Sequence, residues 1–366
     1  MKNIIIGNGI NIQFGGCDYT NRSIIERGLF NLDRGNYSEE VYSKEIGEWL
    51  KMLYQAIPQI LNGEYDLFAV TNDEKEELRN FKVRYDKDDK VYQIGFEDYF
   101  LVHELFCRKN NIKNPERYDF RELLRRFFLD SIYNSGKINK IHEKFLKSFV
   151  SFIESHDYVF TTNYDRNLEI SINQKVYYLH GAFHILDDVY NPDSFRNRLS
   201  DRPVDKTPVV NGFEHLFSNA LTGNSGALKQ FAGEMAERTN SALSKFVNGI
   251  KSKPEMKQQI EDWKNSDNLI VKNLYEAINI KIDNPNLEFS DDSALKKLKD
   301  LKGTLTFIGL SPNNDSHILS AIRDNEKIGT IIFYYYETNE KERVKSFFAN
   351  KRVIMNCVVG FWNKMN

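Results

Sequence analysis

Three short apolar runs, each followed by glycine or small polar residues, constrain the fold of this chain more than any other feature. They occupy residues 3–7, 158–161 and 175–179. Runs of this length and composition are typical of buried strands in a parallel sheet. In open α/β sheets, ligands bind beyond the carboxyl ends of the strands. The sequence therefore predicts a ligand site along one edge of a parallel sheet.

The carboxyl-terminal part of the chain alternates between strand and helix patterns. Strand patterns at residues 305–309, 330–336 and 353–358 are separated by helix patterns at 316–325 and 341–350. Such alternation implies parallel pairing through right-handed crossovers. We therefore expect the first and last parts of the chain to form one Rossmann-like α/β fold, a parallel sheet with helices on both faces.

A long region between the first two predicted strands carries helical patterns. Apolar residues at helical spacing predict helices over residues 38–63, starting at Ser38, and over 96–107, 120–132 and 141–152. Gly136 is expected to break the chain between the last two. Residues 81–94 fit either a β-hairpin or a solvated, charged loop.

A second helical region follows the third predicted strand. Prolines and charged residues at 187–212 indicate a loop, and residues 213–280 hold helical patterns without a strand signal. We therefore predict one α/β domain formed by residues 1–186 and 300–366. Residues 187–299 are predicted to be a loop and a helical insertion within it.

Composition narrows the functional classes. The formal net charge of −2 gives no general attraction to nucleic acid, so no direct sequence-specific binding of nucleic acid is expected. Cys17, Cys107 and Cys357 lie too far apart for a zinc site of paired cysteines, which favours reduced thiols. No apolar run is long enough to span a membrane, and the chain starts in a strand without a signal-peptide pattern. We expect a cytoplasmic protein that is not inserted in a membrane.

The predicted strand ends carry side chains suited to acid–base chemistry. Asn163, Asp165 and His180 should share a pocket, and Gly181 would let a ligand approach closely. An imidazole can accept a proton near neutral pH, and a short amide can hold a ribose or a water molecule. His184 lies one helical turn further, but no third ligand has a useful spacing, so no metal site is predicted.

Two glycine turns follow predicted strands. The first is Gly7-Asn8-Gly9, with Asn11 close behind, and the second is Gly309-Leu310-Ser311. Amides of such turns can bind phosphate, although a tight strand–helix turn also needs glycine for its own geometry. Ser311 or the nearby Asp315 can equally cap the next helix. Both interpretations remain open for both turns.

Taken in order, four blocks resemble the sirtuin superfamily. They are residues 7–11 (Gly-Asn-Gly-Ile-Asn), residues 161–165 (Thr-Thr-Asn-Tyr-Asp), His180-Gly181 and residues 309–311 (Gly-Leu-Ser). Sirtuin deacylases carry a zinc module with four cysteines after the catalytic histidine, and here no cysteine occurs between His180 and Cys357. The chain is more similar to the bacterial sirtuin-like proteins of antiphage defence and to the related abortive-infection proteins.

This resemblance implies an NAD⁺ glycohydrolase that depletes NAD⁺ during phage infection, with NAD⁺ as substrate and no metal. It implies that Asn163 and His180 form the catalytic pair. The remaining residues implied to contact the dinucleotide are Gly7, Asn8, Gly9, Asn11, Thr162, Asp165, Gly309 and Ser311.

The resemblance and the composition together also suggest partners. Aromatic residues make up 13% of the chain, which fits either a large core alone or a core together with an oligomeric or partner interface. We expect a homo-oligomer, and the family and size suggest a HerA-type hexameric ATPase as partner. No appended sensor domain is apparent, so regulation is expected to come from assembly. Two alternatives stay open: an NAD- or ADP-ribose-binding sensor subunit, and an NAD-dependent deacylase or ADP-ribosyltransferase.

Overall fold

A single parallel sheet organises the chain in the computed structural model, which describes residues 1–36, 45–200, 202–221, 226–290, 293–312 and 315–365. Its six strands are β1 (Lys2–Ile6), β2 (Tyr158–Thr161), β3 (Val176–Tyr178), β4 (Gly303–Ile308), β5 (Ile328–Tyr335) and β6 (Arg352–Cys357). They pair in the order β3-β2-β1-β4-β5-β6, all parallel. Dinucleotide-binding Rossmann folds share this order, which reverses between β1 and β4. The predicted α/β class and Rossmann-like parallel sheet are confirmed.

The register of the central strands brings three turns to the same edge of the sheet. Ile6 at the end of β1 pairs with Thr161 of β2 and with Ile308 of β4. These three strands therefore end at one level. The residues that follow them, Gly7, Thr162 and Gly309, leave the sheet side by side.

Helices connect the strands and pack around the sheet. They are α1 (Gly9–Gly15), α2 (Asn21–Asp33), α3 (Ile46–Leu61), α4 (Asn72–Arg84), α5 (Asp98–Lys109), α6 (Glu116–Tyr133), α7 (Lys147–Glu154), α8 (Asn167–Ser171), α9 (Phe195–Arg198), α10 (Gly226–Ser252), α11 (Glu255–Gln259), α12 (Leu269–Asp283), α13 (Ser293–Lys299), α14 (Ser316–Asp324), α15 (Glu340–Phe347) and α16 (Val358–Met365). None of the helices in the described ranges is both long enough and apolar enough to cross a membrane.

Both faces of the sheet are covered, as predicted. Successive side chains of a strand point to opposite faces, and β1 shows this directly. Ile5 packs in a buried cluster with residues of α13, α14 and α15. Ile4 and Ile6 pack in another cluster with residues of α1, α7 and α16. Strand β1 pairs with β2 on one side and β4 on the other, so it lies inside the sheet and is buried on both faces.

Two further buried clusters contain no strand residue and consist mostly of helix residues. The first joins side chains of α2 to α6 with residues from the segment 183–221, and we call helices α2 to α6 the helical lobe. The second joins Phe195 with residues of α10 and α12 inside the predicted insertion. The helices predicted for residues 213–280 are therefore present. The division into residues 1–186 with 300–366, and 187–299, stays a prediction.

The hairpin considered for residues 81–94 is wrong, because its first half belongs to a helix. Phe81 to Arg84 form the last turn of α4, and turns follow as far as α5. Helix α4 begins with a capping box in which the Thr71 side chain accepts from the Glu74 amide and Glu74 reaches back. Thr71 and Glu74 have the spacing of a capping box, which marks the start of a helix. The helix was not predicted, because the alternation of apolar and charged residues further along suggested a strand.

Other predicted elements differ in their bounds. The helix expected from residue 38 is α3, and its predicted start at Ser38 lies outside the described residues. Helix α6 ends at Tyr133 with Asn134 as its left-handed cap, and Gly136 follows three residues beyond the helix end with φ of 80°. The helix expected over 141–152 is a 3₁₀ segment followed by α7, and α16 was not predicted.

Candidate functional site

Asn163 lies at the carboxyl edge of the sheet, immediately beyond β2. The hydroxyl of Thr161 donates to the Ile6 carbonyl at 3.0 Å and accepts from the amide of Asn163 at 3.0 Å. The Asn163 side-chain amide donates to the carbonyl of Gly7 at 3.4 Å. Asn163 is buried and tied to the end of β1. This agrees with its predicted place beside the first glycine turn.

His180 follows β3 and reaches across the sheet edge to a residue that follows β4. Its Nε2 lies 3.6 Å from Oδ1 of Asp315, and both side chains are almost fully buried. Strands β2 and β1 separate β3 from β4, a distance of about 14 Å at ordinary strand spacing. The contact between His180 and Asp315 therefore crosses the ends of both central strands, where Asn163 and Gly7 lie.

Asp315 was considered as a helix cap, and this interpretation is wrong. It precedes α14, yet its side chain makes no capping hydrogen bond to that helix in the part of the chain that the structure describes. Its carboxylate faces His180 instead, and it lies near Tyr164. Pairing with an imidazole on a distant segment leaves no local pattern in the sequence, so it could not be found there.

The helical lobe contributes a second carboxylate to this region. The pKa of Tyr164 is raised well above its usual value, chiefly by burial and then by the nearby carboxylates of Glu97 and Asp315. The Tyr164 hydroxyl donates a hydrogen bond to Glu97. Glu97 immediately precedes α5. Two acidic residues missed in the sequence, Glu97 and Asp315, thus lie close to the predicted catalytic residues. Their negative charge favours a cationic ligand or intermediate.

Asp165 and Asn11 join the first two strand ends through a buried hydrogen bond. The Asn11 side-chain amide donates to Oδ2 of Asp165 at 2.8 Å, and Asn167 donates to Oδ1 through its backbone and side chain. Burial raises the pKa of Asp165, while these hydrogen bonds oppose the rise. Oδ1 of Asn11 is buried and has no hydrogen-bond partner in the described residues. The oxygen of Asn11 is thus an unused acceptor beside a predicted ribose site.

The two glycine turns pack directly against each other. The amides of Gly7 and Gly9 donate to the carbonyls of Ile308 and Gly309, both at 2.9 Å. A Cβ on Gly9 would lie 2.6 Å from the Cα of Gly309, and a Cβ on Gly7 would lie 2.5 Å from the carbonyl oxygen of Gly309. Close contact between two backbones therefore explains these glycines without a ligand. Phosphate binding at the turns stays a prediction.

Gly181 has a different role from the one expected. Its φ is +78°, which favours glycine, and a Cβ would lie 2.2 Å from the carbonyl oxygen of Asn219. The close approach that Gly181 permits is therefore to the chain itself. The space where a Cβ would point is filled by Asn219, so the prediction that Gly181 makes room there for a ligand is wrong.

The other predicted contact residues lie along the same edge. Asn8 is exposed, and its side-chain amide donates to the carbonyl of Tyr19 at 2.8 Å, which holds the segment after α1. Thr162 is half-buried, and its amide donates to the Ile6 carbonyl at 3.0 Å. Ser311 is half-buried beyond β4. Their predicted contacts with a dinucleotide stay predictions.

His184 lies apart from the His180 contact. Its Nε2 is 3.4 Å from the carboxylate of Glu169, which also accepts from the hydroxyl of Tyr178. Among the residues that the structure describes, no three His, Cys, Asp or Glu side chains are grouped to hold a metal ion.

A cavity of about 610 Å³ lies away from this edge, and none of the predicted site residues line it. Its walls come from the segment 188–194, from α10 and from residues 286–290, and include Asp188, Glu237 and Glu288. It is open and acidic, and its lining among the described residues includes no histidine or cysteine. The sheet edge is the better candidate for catalysis, because the acid–base groups meet there.

Comparison of the chain with protein-family models, with curated proteins and with solved structures finds no match. The assignment of a function therefore depends on the geometry of the sheet edge and on the resemblance of the four sequence blocks.

Proposed function

We propose that this chain is an NAD⁺ glycohydrolase, which breaks the bond between nicotinamide and ribose. The observation that carries the proposal is the placement of Asn163 and His180 after the neighbouring strands β2 and β3. Asn163 hydrogen-bonds to Gly7, beside the point between β1 and β4 where the strand order reverses, and the His180 side chain contacts Asp315 beyond β4. Dinucleotides bind at this point in sheets of this order.

The reaction needs few protein groups, and the carboxyl edge of the sheet contains candidates for each. The C–N bond breaks with its electron pair going to nicotinamide, and the ribose carbon becomes cationic. A water oxygen then bonds to this carbon, and His180 accepts the proton that the water loses. The amide of Asn163 orients the ribose or the water. The carboxylates of Glu97 and Asp315, near Tyr164, stabilise the positive charge that develops.

The unused oxygen of Asn11 supports a hydroxyl-bearing ligand. A buried acceptor without a partner costs roughly 1–3 kcal/mol, which a donor on a ligand can recover. The Asn11 amide nitrogen already donates to Asp165, whereas its oxygen has no hydrogen-bond partner among the described residues. A ribose hydroxyl is such a donor. An exclusively apolar ligand would leave the acceptor unsatisfied.

The cellular role and the partners rest on the resemblance. We propose that NAD⁺ depletion acts in antiphage defence and that assembly, as a homo-oligomer with a HerA-type ATPase, controls the activity. Copurification of the chain with the product of a neighbouring gene would support this control. A stable monomer with full activity would contradict it.

Nicotinamide release from NAD⁺ by the purified chain, alone and with its copurified partner, tests the proposed reaction. Asn163→Ala and His180→Ala should each reduce the rate by about a hundredfold or more. His184→Ala is the matched control, because this histidine pairs with Glu169 outside the proposed pair. Equal rates in wild type and both site variants would contradict the assignment. Binding of NAD⁺ without release would indicate a sensor.

A further inference from the structure

Arg125 of α6 is a buried arginine whose donors are all used within the chain. Its relative exposure is 1%. A guanidinium has five N–H donors, and here each finds an acceptor at 3.0–3.1 Å. The acceptors are Glu122 Oε2, the Tyr190 hydroxyl and the carbonyls of Leu216, Ser218 and Ala220. Arg125 therefore fixes the course of residues 216–220 and has no donor left for a ligand.

The charge of Arg125 is balanced inside the lobe. Burial alone would raise the pKa of Glu122, but attraction by Arg125 and Arg121 outweighs it and lowers that pKa to about 2. Glu122 therefore stays ionised at neutral pH and pairs with Arg125. A buried pair with complete hydrogen bonding holds its neighbours in one arrangement, and removal of either partner is strongly destabilising.

The segment that Arg125 fixes lies against the turn after His180. The side-chain oxygen Oδ1 of Asn219 accepts from the backbone amide of Ala182 at 2.8 Å. The backbone amide of Asn219 donates to the carbonyl of Ile185 at 2.7 Å. The Asn219 carbonyl oxygen occupies the space that a Cβ on Gly181 would need. Asn219 thus touches the chain one and two residues beyond His180.

We propose that Asn219 is a positioning residue for His180, held in place by Arg125. His180 follows the three-residue edge strand β3, which pairs on one side only, so the strand alone fixes it weakly. The Asn219 contacts add a constraint from the other side of the turn. This inference rests on the proposed function, since it assigns Asn219 a role in the reaction of His180.

Asn219→Leu and Asn219→Asp test the role with side chains of similar size. Aspartate keeps an oxygen for the Ala182 amide, whereas leucine leaves that amide without its acceptor. Asn219→Leu should lower kcat for nicotinamide release by about tenfold to about a hundredfold with little change in KM. Asn219→Asp should restore most of kcat. Equal kcat in the leucine variant and wild type, or an equal loss in both variants, would overturn the proposal.

A spectroscopic measurement keeps this test separate from the test of the proposed function. In the full chain, the ring resonances of His180, assigned with His180→Gln, should shift in Asn219→Leu and stay near wild type in Asn219→Asp. Identical His180 resonances in both variants and wild type would overturn positioning, whether or not NAD⁺ is cleaved. Absence of nicotinamide release by wild type would count against the proposed function alone.

Gly181→Ala provides a second route if Asn219→Leu does not fold. Its control is Gly212→Ala, because Gly212 has a similar φ of +83° but nothing within 4 Å of an added Cβ. Both variants place alanine at a similar positive φ, and only Gly181→Ala pushes against Asn219. We expect Gly181→Ala to shift the His180 resonances and Gly212→Ala to leave them unchanged. Unshifted resonances in Gly181→Ala would contradict the proposal.

Discussion

At the scale of single residues, the contact between His180 and Asp315 sets the chemistry of the imidazole. Nε2 of His180 lies 3.6 Å from Oδ1 of Asp315, which is longer than a hydrogen bond but close enough for charge attraction. A carboxylate at this distance favours the cationic form of an imidazole. Asp315 is therefore expected to stabilise the imidazolium that forms when His180 accepts a proton.

Asp315→Asn should remove the negative charge beside His180 without changing the size of the side chain. A neutral amide stabilises an imidazolium less than a carboxylate does. We expect nicotinamide release to fall by about tenfold or more, with NAD⁺ affinity nearly unchanged. The comparison is with Asp324→Asn, since Asp324 is exposed at the end of α14 and pairs with Arg323. Wild-type rates in Asp315→Asn would show that the contact has no catalytic importance.

The positions of candidate site residues could be predicted where the residue directly follows a strand. Asn163 and His180 follow apolar runs, and the sheet brings such positions together. Asp315 and Glu97 were not identified as site residues, because their contacts depend on how α14 and the helical lobe pack. Asn219 was missed for the same reason, since only the folded chain places it against Gly181.

At the scale of elements, the crossing of the two glycine turns fixes β1 against β4. The backbone of Gly9 approaches that of Gly309 so closely that a methyl group does not fit between them. Backbone atoms, unlike the ends of flexible side chains, cannot move aside cheaply. The crossing therefore determines the shape of the sheet edge where the dinucleotide is proposed to bind.

Gly9→Ala should destabilise the protein by about 1–3 kcal/mol, because the added Cβ overlaps the backbone of Gly309. Gly329→Ala in β5 is the control, since its Cβ meets nothing within 4 Å. Its effect should stay within about 0.5 kcal/mol. Urea unfolding followed by circular dichroism measures both values. Equal stability of the two variants would mean that the turns separate at little cost.

Helices and strands could be predicted where the spacing of apolar residues and the residues at the element ends indicated the same structure. The six strands, and helices such as α6, α14 and α15, appeared where apolar spacing and flanking glycine or polar residues gave the same answer. Helix α4 was missed because Phe81, Val83 and Tyr85 alternate with charged residues as in a strand. The capping box at Thr71 decides otherwise, since it supplies partners for amides at the helix start.

At the scale of the whole molecule, the helical lobe is linked to the sheet edge by two sets of polar contacts. Glu97 accepts from Tyr164, and Arg125 fixes the segment that carries Asn219. The lobe has its own buried cluster, so its stability should affect the site through these contacts. The sequence patterns did not predict this connection.

A buried histidine in the lobe should make the stability depend on pH. His103 of α5 has no exposed surface and packs edge-on against Trp49. Burial lowers the pKa of His103 to about 3, from the usual 6.5 of an exposed histidine. The unfolded chain therefore binds a proton more readily than the folded one between these values. Stability is full above pH 6.5 and is lost as the pH falls towards 3.

The expected loss from His103 is about 2 kcal/mol between pH 7 and pH 5. His103→Gln removes the titration but keeps a polar side chain of similar length. Denaturant unfolding at several pH values should show a smaller decrease for His103→Gln than for wild type over this range. Parallel curves for the two proteins would show that His103 becomes protonated without unfolding the lobe.

The central claim is that the sheet edge hydrolyses NAD⁺, and product stoichiometry tests it most directly. Chromatographic quantification of nicotinamide and free ADP-ribose, from the full chain alone and with its copurified partner, is the decisive measurement. Hydrolysis predicts one ADP-ribose for each nicotinamide, with both products lost in His180→Ala. Nicotinamide without free ADP-ribose would indicate transfer to another molecule, and NAD⁺ left intact under both conditions would contradict the claim.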